Sequence, residues 1–231
     1  MPTPTRELTV AAVRRIADCG VFELDATVAG APLDYRAGQW ISLHLPAGAR
    51  PPAVRGYTLA EPAAADTRIR LAFDAVPGGV GSTYLSGLSG GERIPFTGPL
   101  GNFTLDGAAD TVVMVGRFTG VVPLRCMLLE AAARGPAPRR ALLLQTAESP
   151  AGLVYRDELA ALAANTPWLD YRAEVVATDG VAEIELLADL LPAGTDFTPY
   201  LCGLSRVVRP LRAHLVERGF ARRAVRCERY D

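Results

Sequence analysis

Lysine is absent from all 231 residues, so every one of the 24 basic side chains is an arginine. Schiff-base catalysis and Walker-type phosphate loops both need an ammonium group and are excluded. Histidine is nearly absent too: His44 falls on an alternating strand pattern and His214 on the polar side of a helix, so neither assembles a Ser/His/Asp or Cys/His arrangement. The four cysteines, Cys19, Cys126, Cys202 and Cys227, are widely separated and show no C-x-x-C spacing. That argues against zinc, an iron–sulfur cluster or a disulfide framework, and no metal is expected. No run of 18 apolar residues occurs, and the opening MPTPTRELTV lacks the basic end and apolar core of a leader. A soluble, cytoplasmic protein without a membrane span is the expectation. A net charge of −1 leaves no basic surplus for phosphate backbones, so nucleic acid is not an expected partner.

What is present divides in two. Up to about residue 107, short alternating runs at 7–13, 21–28, 39–45, 54–60, 68–74 and 93–97 are separated by turn residues, which predicts a six-stranded antiparallel β-barrel. A helical stretch at 80–88 interrupts the last two strands. From residue 108 apolar strand patterns (TVVMV, ALLLQ, YRAEVV) alternate with helical ones, closing on a strand at 224–227. That rhythm predicts an α/β domain with a parallel sheet. The polar, turn-forming DGAAD at 106–110 marks the junction, giving domains 1–107 and 108–231.

Four short pieces of the first half fit one ligand. They are Tyr35-Arg36-Ala37-Gly38-Gln39-Trp40, Arg55-Gly56-Tyr57-Thr58, Pro77-Gly78-Gly79-Val80-Gly81-Ser82-Thr83 and Gly98-Pro99-Leu100-Gly101-Asn102-Phe103. Glycines let backbone N–H groups approach a pyrophosphate, Ser82 and Thr83 add hydroxyl donors, and Arg55 adds a bidentate cation. Tyr57 can pack on a flat ring while Thr58 meets its edge. Each piece alone is common.

In this order and spacing, the pieces resemble the flavin domain of the ferredoxin–NADP reductase family, in particular the reductase components of bacterial oxygenases. The resemblance continues through Thr119-Gly120-Val121-Val122-Pro123, Tyr155-Arg156-Asp157-Glu158-Leu159, Tyr200-Leu201-Cys202-Gly203 and Glu228-Arg229-Tyr230. It implies an FAD-binding barrel in which Arg55, Tyr57 and Thr58 hold the flavin and its phosphate, with Thr58 near N5. Gly79, Gly81, Ser82 and Thr83 would cradle the pyrophosphate and Tyr230 would lie against the ring. The second domain would take NADH or NADPH, with Thr119, Gly120, Cys202 and Gly203 beside the nicotinamide and Glu228 relaying a proton or orienting it.

Three departures from the family pattern bear on that site, one of them Cys202-Gly203-Leu204-Ser205-Arg206-Val207, where the family commonly places Pro after the Gly and Met a few residues on. Arg117-Phe118 stands before Thr119-Gly120 where relatives carry small residues; these side chains either fill the groove or Arg117 clasps a phosphate. Glu148 stands where relatives often carry an arginine, and a carboxylate there favours NADH, because it accepts from a ribose 2′-hydroxyl and repels a 2′-phosphate. The expected activity is an NAD(P)H-dependent flavoprotein reductase that passes electrons to a separate acceptor, such as a ferredoxin, a partner subunit, free flavin or a quinone. The alternative is an FAD-containing electron-transfer subunit that no longer binds nicotinamide and uses its α/β domain for partner interaction.

Overall fold

The structure is a computed structural model and describes residues 5–46, 53–107, 109–176, 181–191 and 194–230. Residues 1–4, part of the opening for which no leader is expected, and Ala108, at the expected domain boundary, lie outside the described residues. The chain divides into two compact units, Met1–Leu105 and Asp106–Asp231.

The first unit comprises β1 (Arg6–Ala17), β2 (Val21–Val28), β3 (Trp40–Leu45), β4 (Ala53–Thr58), β5 (Arg68–Asp74), a short helix α1 (Val80–Ser86) and β6 (Arg93–Leu100). Its strands lie in the order β4-β3-β6-β1-β2-β5, each antiparallel to its neighbours. The edges meet where Leu59 bridges Leu71 and the Ala60 N–H donates to the Arg70 carbonyl (2.8 Å), closing the sheet into a barrel. Alternation drives this closure. On β3, Ile41, Leu43 and Leu45 are fully buried while Trp40, Ser42 and His44 turn outward. His44 pairs with the Thr97 hydroxyl (2.8 Å), a contact between neighbouring strands. Leu8, Leu24, Leu71, Ile94 and Phe96 complete the interior, each worth roughly 1.5–3 kcal/mol relative to exposure.

The second unit has β7 (Thr111–Arg117), α2 (Val121–Arg134), β8 (Arg140–Ala147), α3 (Arg156–Ala164), β9 (Leu169–Val175), α4 (Val181–Leu190), β10 (Thr198–Gly203), α5 (Ser205–Glu217) and β11 (Arg226–Arg229). The sheet is parallel, ordered β11-β10-β7-β8-β9. Val113, Val115, Leu142, Leu144 and Leu201 share a core with α4 and α5, while the alternating Val112, Met114, Leu143 and Tyr200 face the other way and are equally buried. Burial on both faces is why β7 reads as an unbroken apolar run.

The motif 155–159 joins two helices. Arg125, buried on α2, receives a bidentate grip from Glu158 of α3 and lies 4.4 Å over the Tyr155 ring, so the motif fastens α3 to α2. The last strand runs two residues later than its apolar pattern suggests. Ala224 is used in a turn, and the register with β10 begins at Tyr200–Arg226. Among the described residues no helix is long and apolar enough to cross a membrane.

Candidate functional site

On the barrel, β4 and the start of α1 bring the expected ligand-binding residues together. Arg55 is exposed, and it donates to the carbonyl of its neighbour Val54 (2.8 Å). Tyr57 is half-buried: its ring meets Phe73 edge-on (5.9 Å), and desolvation pushes its hydroxyl up to about 12, so it stays a neutral hydrogen-bonding group. Thr58, the last residue of β4, is buried opposite Trp40. Gly81 packs where no side chain fits, since a Cβ there would lie 2.5 Å from the Tyr57 hydroxyl and 3.2 Å from Arg55 Cγ. The first N–H groups of a helix lack intrahelical acceptors, and α1 has neither an acidic residue in its first turn nor a side-chain cap. Ser82 is buried and inward-facing, its Oγ accepting from the Val76 N–H (3.0 Å); it organises the Gly78–Gly79 turn. Thr83 is exposed on α1.

In the α/β unit, chain order reverses at β7: β8 and β9 build out on one side, β10 on the other. Ligands of open α/β sheets bind at the carboxyl ends of strands beside such a reversal. The β7–α2 turn carries Thr119 and Gly120, both buried, and a Cβ on Gly120 would collide with the Cys202 carbonyl oxygen at the end of β10. Gly203 follows with φ +146°, a conformation suited to glycine, and its carbonyl accepts from the Tyr230 N–H (3.2 Å). Glu228 of β11 lies in register with Cys202. Thr119, Gly120, Cys202, Gly203, Glu228 and Tyr230 therefore share one end of the sheet.

Burial sets the protonation of this cluster. Desolvation, reinforced by the Glu228 charge and partly opposed by a hydrogen bond with the Tyr230 side chain, pushes the Cys202 thiol well above its ordinary value. Desolvation likewise raises Glu228 to about 7. The pair is a neutral thiol beside a carboxyl that titrates near neutrality.

Arg117 is turned inward. It is 6% exposed, and its Nη1 meets Glu183 Oε1 at 2.6 Å, with Thr146 Oγ1 donating to the same oxygen (2.7 Å). Its Nη2 donates to the Val176 carbonyl (3.3 Å) and lies 3.7 Å from Glu148. Phe118 takes a left-handed backbone (φ 54°), and its ring edge comes within 3.5 Å of where a Gly152 Cβ would stand, in the turn after β8. Glu148, just after β8, pairs with Arg206 at 3.1 Å. Sequence reading passed over Glu183 and Arg206. The signal for Glu183 was a carboxylate on the apolar stripe of α4, four residues before the buried Leu187. Arg206 gave none beyond standing in the segment after Gly203 that departs from the family pattern.

The family described as oxidoreductase FAD-binding domain matches residues 8–105. The chain is 35% identical over 213 residues to ferredoxin–NADP reductase B of Sorangium cellulosum, covering 85% of this chain and 86% of that one. It is 32% identical to the reductase subunit of an Amycolatopsis aromatic O-demethylase, over 87% of this chain and 62% of the relative, so it spans less than two thirds of that subunit. Among solved structures, an Amycolatopsis cytochrome P450 reductase superposes with a TM-score of 0.81 at 28% identity, covering 100% of this chain and 71% of that one. The FAD/NAD-binding domain of a Vibrio cholerae nitric oxide dioxygenase shares the fold at TM-score 0.80 and 21% identity, covering 97% and 98%. Gly81 brings the Arg55 side chain, the Tyr57 hydroxyl and the first N–H groups of α1 close together, a donor set of the kind that suits the phosphates of FAD. The chain belongs to the ferredoxin–NADP reductase family and is an FAD-dependent oxidoreductase that carries electrons from NAD(P)H to an acceptor.

Proposed function

We propose that the protein takes its electrons from NADH at the carboxyl end of the β7–β10 sheet and delivers them to a separate protein or small-molecule acceptor. Arg55 and the backbone of Gly79–Thr83 hold the FAD phosphates, Tyr57 covers the ring, and Thr58 hydrogen-bonds its reactive edge. FAD held there would supply the redox chemistry, exchange of electrons in pairs or singly. Thr119 and Gly120 receive the nicotinamide against Cys202 and Gly203. Cys202 contributes a small neutral S–H, Glu228 holds or releases a proton at its carboxyl, and Tyr230 stacks on a planar ring. Glu148 accepts from a ribose hydroxyl. The supporting observation is the close packing of Gly120 on the Cys202 carbonyl, which brings the β7–α2 turn and the end of β10 together at the carboxyl end of the sheet.

A second reading rests on Phe118, a large side chain in a turn where the family resemblance implies small ones. In that reading the α/β unit has lost nucleotide binding and serves as an interaction surface. Anaerobic titration of the flavin-loaded protein, followed by flavin absorbance, separates the two. Bleaching by NADH supports the reductase. Flavin that resists both nucleotides but bleaches with dithionite supports the second reading, and a Phe118→Ala variant that then gains reduction by NADH assigns the block to that ring.

A further inference from the structure

Glu148 and Arg206 come from opposite sides of β7: Glu148 follows β8, and Arg206 is the second residue of α5, just after β10. Their side chains meet at 3.1 Å, and they are 54% and 55% exposed, so both remain within reach of a ligand. Arg117 Nη2 approaches the same Glu148 oxygen, Oε1, at 3.7 Å from its buried position. Both contacts fall on Oε1, which among the described residues leaves Oε2 for a ligand. Arg117 is itself anchored by Glu183, so the four side chains form a charge-balanced cluster of two arginines and two carboxylates at the carboxyl end of the sheet.

We infer that Arg206 tunes the nucleotide choice made at Glu148. Glu148 accepts from the ribose 2′-hydroxyl, and Arg206 is a positioning residue that holds the carboxylate in place and, while engaged by it, is withheld from a 2′-phosphate. This rests on the proposal that NADH binds at this end of the sheet. A glutamate at an open strand end must lose rotamer freedom before it can accept from a ligand, and a guanidinium already bonded to it removes part of that cost. The same guanidinium is a strong phosphate ligand, so its partner decides which ligand it serves.

Two measurements on the flavin-loaded protein test the pair. One is kcat/KM for NADH and NADPH with ferricyanide as acceptor. The other is calorimetric binding of 5′-AMP and adenosine 2′,5′-bisphosphate, which does not depend on turnover. Arg206→Ala is expected to raise KM for NADH about threefold with kcat unchanged, and Arg206→Lys to restore most of it. Glu148→Gln is expected to raise NADPH kcat/KM and bisphosphate affinity about tenfold by releasing Arg206, and the double variant Glu148→Gln, Arg206→Ala to lose that gain. A wild-type protein that is reduced but whose preference moves in none of these variants, or a gain that survives in the double variant, overturns the pair alone. A wild type reduced by neither nucleotide and binding neither adenosine probe overturns the NADH site itself, and the pair's role falls with it.

Discussion

Glu228 is one carboxyl whose surroundings set its chemistry. In an unfolded chain it titrates near 4.5; in the fold, burial moves it to about 7. The native state thus binds this proton more tightly, and the stability it contributes is fully present below pH 4.5 and lost as pH rises through about 7. The loss is about 3 kcal/mol. Glu228→Gln removes the titration, so the variant is expected to gain on wild type between pH 4.5 and 7 and to keep that advantage above. Urea denaturation at pH 4.5, 6 and 8 measures it, and curves that run parallel would count against the buried-carboxyl assignment. The motif Glu228-Arg229-Tyr230 was visible in the sequence. Its partner was not, because register with Cys202 depends on a parallel pairing between residues 26 apart in the chain.

Among elements, the Arg117–Glu183 pair ties the end of β7 to α4. Both side chains are almost wholly buried, at 5% and 0% exposure. Removing one partner strands a buried charge, so Arg117→Ala is expected to cost about 3–5 kcal/mol, whereas replacing both with apolar residues of similar volume costs far less. Chemical denaturation of the single variant and of Arg117→Met, Glu183→Leu decides this; equal losses would mean that packing, not charge, holds the two elements. The strand and helix periodicities were legible locally, since Val207, Val208, Leu211 and Leu215 already mark the buried stripe of α5. The fate of Arg117 was not. Its partner lies 66 residues away on another element, and local pattern cannot distinguish an arginine facing a groove from one turned under it.

For the whole molecule, ligand binding and stability are linked. FAD that binds the native state and not the unfolded chain stabilises it by about 2.7 kcal/mol at one hundred times its dissociation constant. Thermal denaturation with and without added FAD should show this shift in the wild type. Gly81→Val, which drives a side chain into the Tyr57 hydroxyl and Arg55, should abolish the shift and leave purified protein without bound flavin; a yellow Gly81→Val protein would show that the cradle is not the phosphate site.

Composition and periodicity alone determined the class of this protein. A lysine-free chain draws its permanent side-chain cations from arginine alone, period-2 runs demand a sheet with one buried face, and strand–helix alternation demands a parallel sheet covered on both. Tertiary structure decided which of the arginines are available. Pairing with distant carboxylates buries Arg117 beside Glu183, binds Arg206 to Glu148 at the surface and leaves Arg55 exposed beside the Gly81 turn. A guanidinium's role is set by whichever acceptor folding brings within about 3 Å of it, and that distance is not written in any local stretch of sequence.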